Sequence, residues 1–150
     1  MQIKKFKKFQ LMSVKAEIIS IGDELLYGQT LDTNAHWMSN KLDENNIKVF
    51  QRTTIGDDEQ QILNALKVAE NRVDVVLITG GLGPTKDDLT KPLLAKYFGV
   101  EMVHNEEVIN DITLLFTKAN REVTALNAKQ AELPANCEKI TNPVGTAPGM

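Results

Sequence analysis

The sequence predicts an α/β fold: a three-layer α/β/α sandwich around a mostly parallel central sheet. Three observations support it. Short β-branched runs alternate with amphipathic helical stretches at the spacing of right-handed strand-helix-strand crossovers. The run from Val73 to Ile78 is nearly continuous apolar sequence, as expected of a parallel strand covered by helices on both faces. Two such runs lead straight into glycine-rich loops, and in an open parallel sheet the loops at the carboxyl ends of the strands converge where ligands bind.

Taken in order, the run from Ala16 to Ile21 is short, β-branched and ended by Gly22, which marks a buried strand. A helix follows its loop. Asp32, Thr33 or Asn34 can cap it, and Ala35, Met38 and Leu42 recur at helical spacing to form one apolar face. Trp37 is expected in the core, and His36 as a surface or packed histidine rather than a catalytic one. The run from Ile47 to Thr54 is a second strand. Asp57 or Asp58 opens the next helix, with Gln60 and Gln61 placed as a capping box requires and Ile62, Leu66 and Ala69 facing inward. The strand ending at Ile78 is expected at the sheet centre. Pro92 is tolerated in a first helical turn but not in an interior, so the following helix should begin near Asp88. Beyond it we expect a short strand over 101–104, a helix over 106–119, a weaker helix over 124–132 ended by Pro134, and a small-residue loop over 142–150. With no repeat, low-complexity tract or linker, one domain over 14–150 is expected, preceded by a disordered basic extension over 1–13.

Composition narrows the function classes. At 150 residues and 42% hydrophobic, the chain can bury one sizeable core. No apolar run approaches the roughly 18 residues of a membrane span. Cys137 is alone, so no internal disulfide can form, which suits a reducing cytoplasm. Lys4, Lys5, Lys7 and Lys8 contribute +4 to a formal charge of −3, leaving −7 beyond residue 11, and that acidic remainder carries no nucleic-acid footprint. The basic opening lacks the apolar stretch and cleavage site of a signal peptide, and Met12 would be a plausible start just before the first strand.

The loop chemistry points to a phosphate. Gly80, Gly81 and Gly83 let the backbone approach a ligand closely, and exposed amides before a helix N-terminus form an anion site. The pattern is neither G-x-G-x-x-G nor a P-loop. Asp87 and Asp88 have two readings. Thr85 and Asp88 can form a capping box with both carboxylates favouring the helix end, or Asp87 can hold a divalent metal with Thr85 and Thr90 as further oxygen donors. Asp23 and Glu24 are likewise either turn stabilisers or site residues, and Asp32 and Asn34 either helix caps or ligands. No Ser/His/Asp or Cys/His set stands at an interpretable spacing, so a protein nucleophile has little support.

Several ordered motifs carry a resemblance. They are Gly22-Asp23-Glu24-Leu25-Leu26-x-Gly28-Gln29, Asp32-Thr33-Asn34, Gly56-Asp57-Asp58, the stretch from Thr79 to Thr90, Lys129-Gln130-Ala131, and Asn142-Pro143-Val144-Gly145-Thr146-Ala147-Pro148-Gly149. From about Val14 onward the chain resembles the amino-terminal domain of the CinA (competence/damage-inducible) family, whose molybdopterin-binding fold is shared with MoaB, MogA and a domain of MoeA. The resemblance implies a nucleotide or pterin ligand at Gly22, Asn34, Thr79, Gly80, Gly81, Gly83, Pro84, Thr85, Thr90, Gly145, Thr146, Ala147, Pro148 and Gly149. It further implies an ADP-ribose pyrophosphatase that gives AMP and ribose 5-phosphate and depends on a divalent metal such as Mg, Mn or Co. Asp23, Glu24, Asp87 and Asp88 would be catalytic, with the metal on Asp87 and Asp88, and the protein a homodimer. The family's separate NMN-deamidating domain has no match here. The family domain continues past the Gly-Thr-Ala-Pro-Gly motif, so a fragment lacking part of its site is expected. Lys86 stands where an acidic residue is common, and His36 where a small one is usual.

Overall fold

The computed structural model describes residues 13–85 and 88–150; residues 1–12, which hold most of the expected basic extension, lie outside the described residues, as do Lys86 and Asp87. The elements run β1 (Lys15–Ile21), α1 (Asp23–Leu26), α2 (Thr33–Glu44), β2 (Lys48–Ile55), α3 (Glu59–Glu70), β3 (Val75–Thr79), α4 (Thr90–Phe98), β4 (Met102–His104), α5 (Glu106–Lys118), α6 (Ala125–Ala128), a 3-10 turn over Lys129–Ala131, and β5 (Glu132–Pro134). β1 pairs parallel with both β2 and β3, in the order β2-β1-β3, and β4 pairs antiparallel with β5 in a separate small sheet.

Alternation of side chains along β1 divides the core between two faces. Ala16 and Ile18 pack with Ala35 and Leu42 of α2, flanked by Met38, Val49 and Leu77. Ile19 and Ile21 pack on the other face with Ile62, Leu66 and Ala69 of α3 and Leu93 of α4. Each fully buried isoleucine contributes about 1.5–3 kcal/mol of transfer free energy, so the pair at 18 and 19 holds both helical layers. A third cluster, Val108, Ile112, Ala131 and Leu133, seats α5 on the β4–β5 side. Among the described residues no helix is long and apolar enough to cross a membrane.

Five expectations are corrected. β1, not β3, is the central strand: β1 is buried from Ala16 to Ile21, whereas β3 has no fully buried residue and pairs on one edge only. An apolar run reports that both faces are covered, not how many edges are paired, and the polar Glu17 and Ser20 disguised β1. Trp37 is 61% exposed, because Ala35 and Leu42 already claim the inward stripe of α2. The predicted helix over 124–132 stops after one turn closed by a Thr124–Asn127 capping box; Glu132–Pro134 then extends to pair with β4 and buries Leu133. α4 starts at Thr90 with Leu89 as its N-cap rather than near Asp88. The stretch after Gly22, read as loop, makes the single helical turn α1.

Candidate functional site

The carboxyl ends of all three parallel strands meet at the predicted loops. Ile21-Gly22-Asp23 leaves β1 and Ile55-Gly56-Asp57 leaves β2, the same three residue types at the same point of two neighbouring strands. The Gly22 amide donates to the Ile55 carbonyl at 3.0 Å. The two aspartates then exchange bonds: the Asp23 amide donates to Asp57 Oδ2 at 3.1 Å, and the Asp57 amide to Asp23 Oδ1 at 3.4 Å. Two carboxylates are thereby held side by side at the sheet edge.

The loop after β3 is fixed from behind. Gly80 has φ of 102° and Gly81 of 61°. A Cβ at Gly80 would run into the Ile21 carbonyl oxygen, and one at Gly81 into Thr90 Oγ1, so only glycine fits where this loop crosses β1 and α4. Thr90, 1% exposed, donates its hydroxyl to the Gly80 carbonyl at 2.8 Å and its amide to the Gly81 carbonyl at 3.2 Å. Thr90 thus ties the start of α4 to the glycine loop.

Asp88 bonds Thr85 within the loop, but the pair does not cap α4, whose N-cap is Leu89. Asp88 Oδ2 accepts from the Thr85 amide at 2.8 Å and the Thr85 hydroxyl at 2.5 Å. Burial alone would raise its pKa, but the bonds from Thr85 and Gly83 together with the charge of Lys91 outweigh that and hold the carboxyl below its ordinary range. Thr85 is therefore committed too. Gly83, Pro84, Thr85 and Asp88 line a cavity of about 400 Å³ with Lys91, whose Nζ donates to the Gln130 carbonyl at 3.0 Å.

On the α2 side of the sheet a polar row crosses the strands. Asp32 caps α2 by accepting from the Ala35 amide at 2.8 Å, and its other oxygen accepts from the Ser20 hydroxyl at 2.5 Å. The Asn34 amide reaches Thr79 Oγ1 at 3.3 Å, so Asn34 is a cross-link to β3 and not the cap. Arg52 of β2 stands 3.8 Å from Asp32 Oδ2. Glu24 folds back so that its carboxylate lies beside Gly22.

The segment Gly145–Gly149 is not brought to these loops by any recorded contact. Gly145, Thr146 and Pro148 border α5 at Val108, Asp111 and Ile112; Asn142 Nδ2 donates to the Ala147 carbonyl at 2.9 Å, and Gly149 bridges to Ile140. Sequence reasoning passed over Ser20, Arg52 and Asp57 as site residues. The doubled Ile-Gly-Asp turn was the signal for Asp57; Ser20 and Arg52 become visible only once the strands pair.

As to a metal, Asp87 lies outside the described residues and Asp88 Oδ2 is already doubly engaged. No group of three His, Cys, Asp or Glu residues among the described residues is placed to hold an ion. Asp23 and Asp57 fit a weaker role, since Mg²⁺ is commonly held by one or two carboxylates with the remaining positions left to water and substrate phosphates.

A sequence profile described as a probable molybdopterin binding domain matches residues 17–150. The crystal structure of CinA from Thermoplasma acidophilum, a protein described there as of unknown function, superposes with a TM-score of 0.80 at 36% identity, over 91% of this chain and 80% of that one. The chain belongs to the CinA-like group of this family. A CinA-like protein of Cytophaga hutchinsonii is 47% identical over 137 residues, 91% of this chain but 33% of the relative, so this CinA-like chain spans about a third of the length of such relatives. The tungsten cofactor synthesizing protein MoaB of Pyrococcus furiosus shares the fold, with a TM-score of 0.55 at 21% identity over 71% of this chain and 65% of that one. The CinA-like fold is thus α/β with a mostly parallel central sheet, as the sequence predicts.

Proposed function

We propose that the strand-end loops bind a phosphate-bearing nucleotide and, with a divalent metal, hydrolyse the phosphoanhydride of ADP-ribose to AMP and ribose 5-phosphate. The observation that carries this is the convergence of two Ile-Gly-Asp turns with a backbone loop, Gly80–Gly81, that accepts no side chain. In this reading the amides of the loop from Gly80 to Gly83 cradle the diphosphate, as backbone nests do for anions. Asp23 and Asp57 provide paired acceptors at the strand ends, able to hold a metal or to orient an attacking water; Asp87 is the remaining carboxylate suggested by the motif. The metal would supply positive charge against the diphosphate. Asp88 and Thr90 act through the loop: they fix its shape and thus the direction of its amides. No side-chain nucleophile is required.

A second reading, a module that binds a nucleotide or pterin without turnover, is favoured by one observation: Asp88 and Thr90 are both consumed in holding the loop. The test is incubation of the purified chain with ADP-ribose, with and without Mg²⁺, Mn²⁺ or Co²⁺, beside Asp23→Asn and Asp87→Ala variants. Metal-dependent AMP that falls at least about a hundredfold in the variants is expected, a loss typical when a charge-stabilising or water-orienting group is removed. A folded wild type that binds ADP-ribose calorimetrically and releases no AMP establishes the binding module instead.

A further inference from the structure

We propose that Arg52 is the cation that receives a phosphate of the ligand bound at the strand-end loops, an inference that rests on the phosphate-ligand reading above. The side chains gathered there are acidic: Asp23, Glu24, Asp32, Asp57 and Asp88. A phosphorylated ligand entering such a site needs a counter-charge. Among the described residues, Arg52 and Lys91 carry positive charge beside these carboxylates. Lys91 is 5% exposed and turned toward the Gln130 carbonyl, on the far side of the loop from the α2 face. Arg52 stands open.

The position of Arg52 breaks the pattern of its surroundings. In the β1–β2 register it lies opposite Ile18, two residues before the Thr54 that pairs with Ser20. That face of the sheet is packed with Ala16, Ile18, Val49 and Leu77 under α2 and turns polar toward the strand ends at Ser20 and Thr54. The guanidinium stands where the apolar part of the face meets that polar row. Among the described residues it forms an ion pair with Asp32 Oδ2 at 3.8 Å, beyond hydrogen-bonding distance, and its side chain is 46% exposed. The two oxygens of Asp32 accept from the Ala35 amide and the Ser20 hydroxyl, which anchor its carboxylate between α2 and β1. Among the described residues no hydrogen bond is recorded for the Arg52 guanidinium, which leaves a fork of donors suited to bidentate phosphate binding. Asp32 keeps the guanidinium near the α2 N-terminus without consuming it. The same helix end carries Asn34, cross-linked to Thr79 beside Gly80. The arginine and the glycine loop therefore flank one helix N-terminus from β2 and β3.

Calorimetric titration of wild type, Arg52→Gln and Arg52→Lys with ADP-ribose and with ribose 5-phosphate, at low and high ionic strength, tests the assignment. Arg52→Gln should weaken both ligands about tenfold or more, as loss of a charge-assisted bond does, and should flatten the salt dependence. Arg52→Lys should recover part of the affinity, because it keeps the charge and loses the fork. The melting temperature of Arg52→Gln should stay close to that of wild type, since an exposed pair adds little stability. Wild-type affinity in Arg52→Gln overturns the assignment and leaves the phosphate-ligand reading standing. So does a loss of affinity that is independent of ionic strength. A wild type that binds neither phosphorylated ligand overturns both.

Discussion

At the scale of single residues, the site depends on positions where one atom more would not fit. Gly80 sits at φ 102° with its α-carbon against the Ile21 carbonyl. Gly80→Ala adds a methyl group to a backbone region closed to L side chains and drives it into β1. The expected outcome is a destabilisation of more than about 1 kcal/mol, read in a urea melt, together with loss of nucleotide binding because the loop must leave Thr90. The neighbouring Gly81→Ala meets a side chain instead of backbone, Thr90 Oγ1, and should be the milder of the two. Thr85 shows why local pattern alone left two readings open. A hydroxyl three residues before an aspartate is equally a metal donor or a cap partner. Only the observed bonds to Asp88, at 2.8 and 2.5 Å, decide it.

At the scale of elements, the three longest helices are each started by an aspartate or asparagine whose side chain accepts from the amide three residues on: Asp32 for α2, Asp58 for α3 and Asn105 for α5. Among the described residues the Asp58 side chain bonds only the Gln61 amide, at 2.9 Å. Asp58→Ala should therefore cost about 1 kcal/mol, the ordinary value of an N-cap, and leave the Asp23–Asp57 exchange intact, as the chemical shifts of those two amides would report. Helix caps and the apolar stripes at 35/42 and 62/66/69 were legible because they depend on neighbours within one or two turns. The short α6 and β5 were not, because Glu132–Pro134 takes its conformation from pairing with Met102–His104, some thirty residues earlier in the chain.

At the scale of the molecule, one buried carboxylate ties the layers together. Glu17 of β1 is fully buried and accepts from the Arg72 guanidinium just beyond α3 and from the Thr53 hydroxyl of β2. Burial alone would raise its pKa, but the bonds from Arg72 and Thr53 and the charge of Arg72 hold it below the ordinary value of 4.5. A carboxyl whose folded pKa is depressed stabilises the fold above its unfolded pKa and ceases to do so as pH falls through the folded value. Wild type should therefore lose stability progressively below about pH 4.5. In Arg72→Met only the Thr53 bond still opposes burial, so the folded pKa of Glu17 rises and the acid-side loss of stability should begin at higher pH than in wild type. Melting temperatures of both proteins across that range check this; parallel profiles would show that the pair does not act as a unit.

The sequence by itself determined the periodic and the local: strand and helix alternation, the caps, the glycine loops and the family motifs that place this chain among CinA-like domains. These depend on chemistry within a few residues, and the chain displays that directly. Tertiary structure alone decided what depends on which strands are neighbours. It placed β1 at the centre, faced Asp23 with Asp57 and Ser20 with Asp32, brought Arg52 to that row, bonded Thr90 and Asp88 to the loop after β3, and set Gly145–Gly149 against α5. In each of these the partners lie at least ten residues apart in sequence or compete with an equally good local alternative. Pairing order and side-chain direction, which no window of the sequence contains, choose between them.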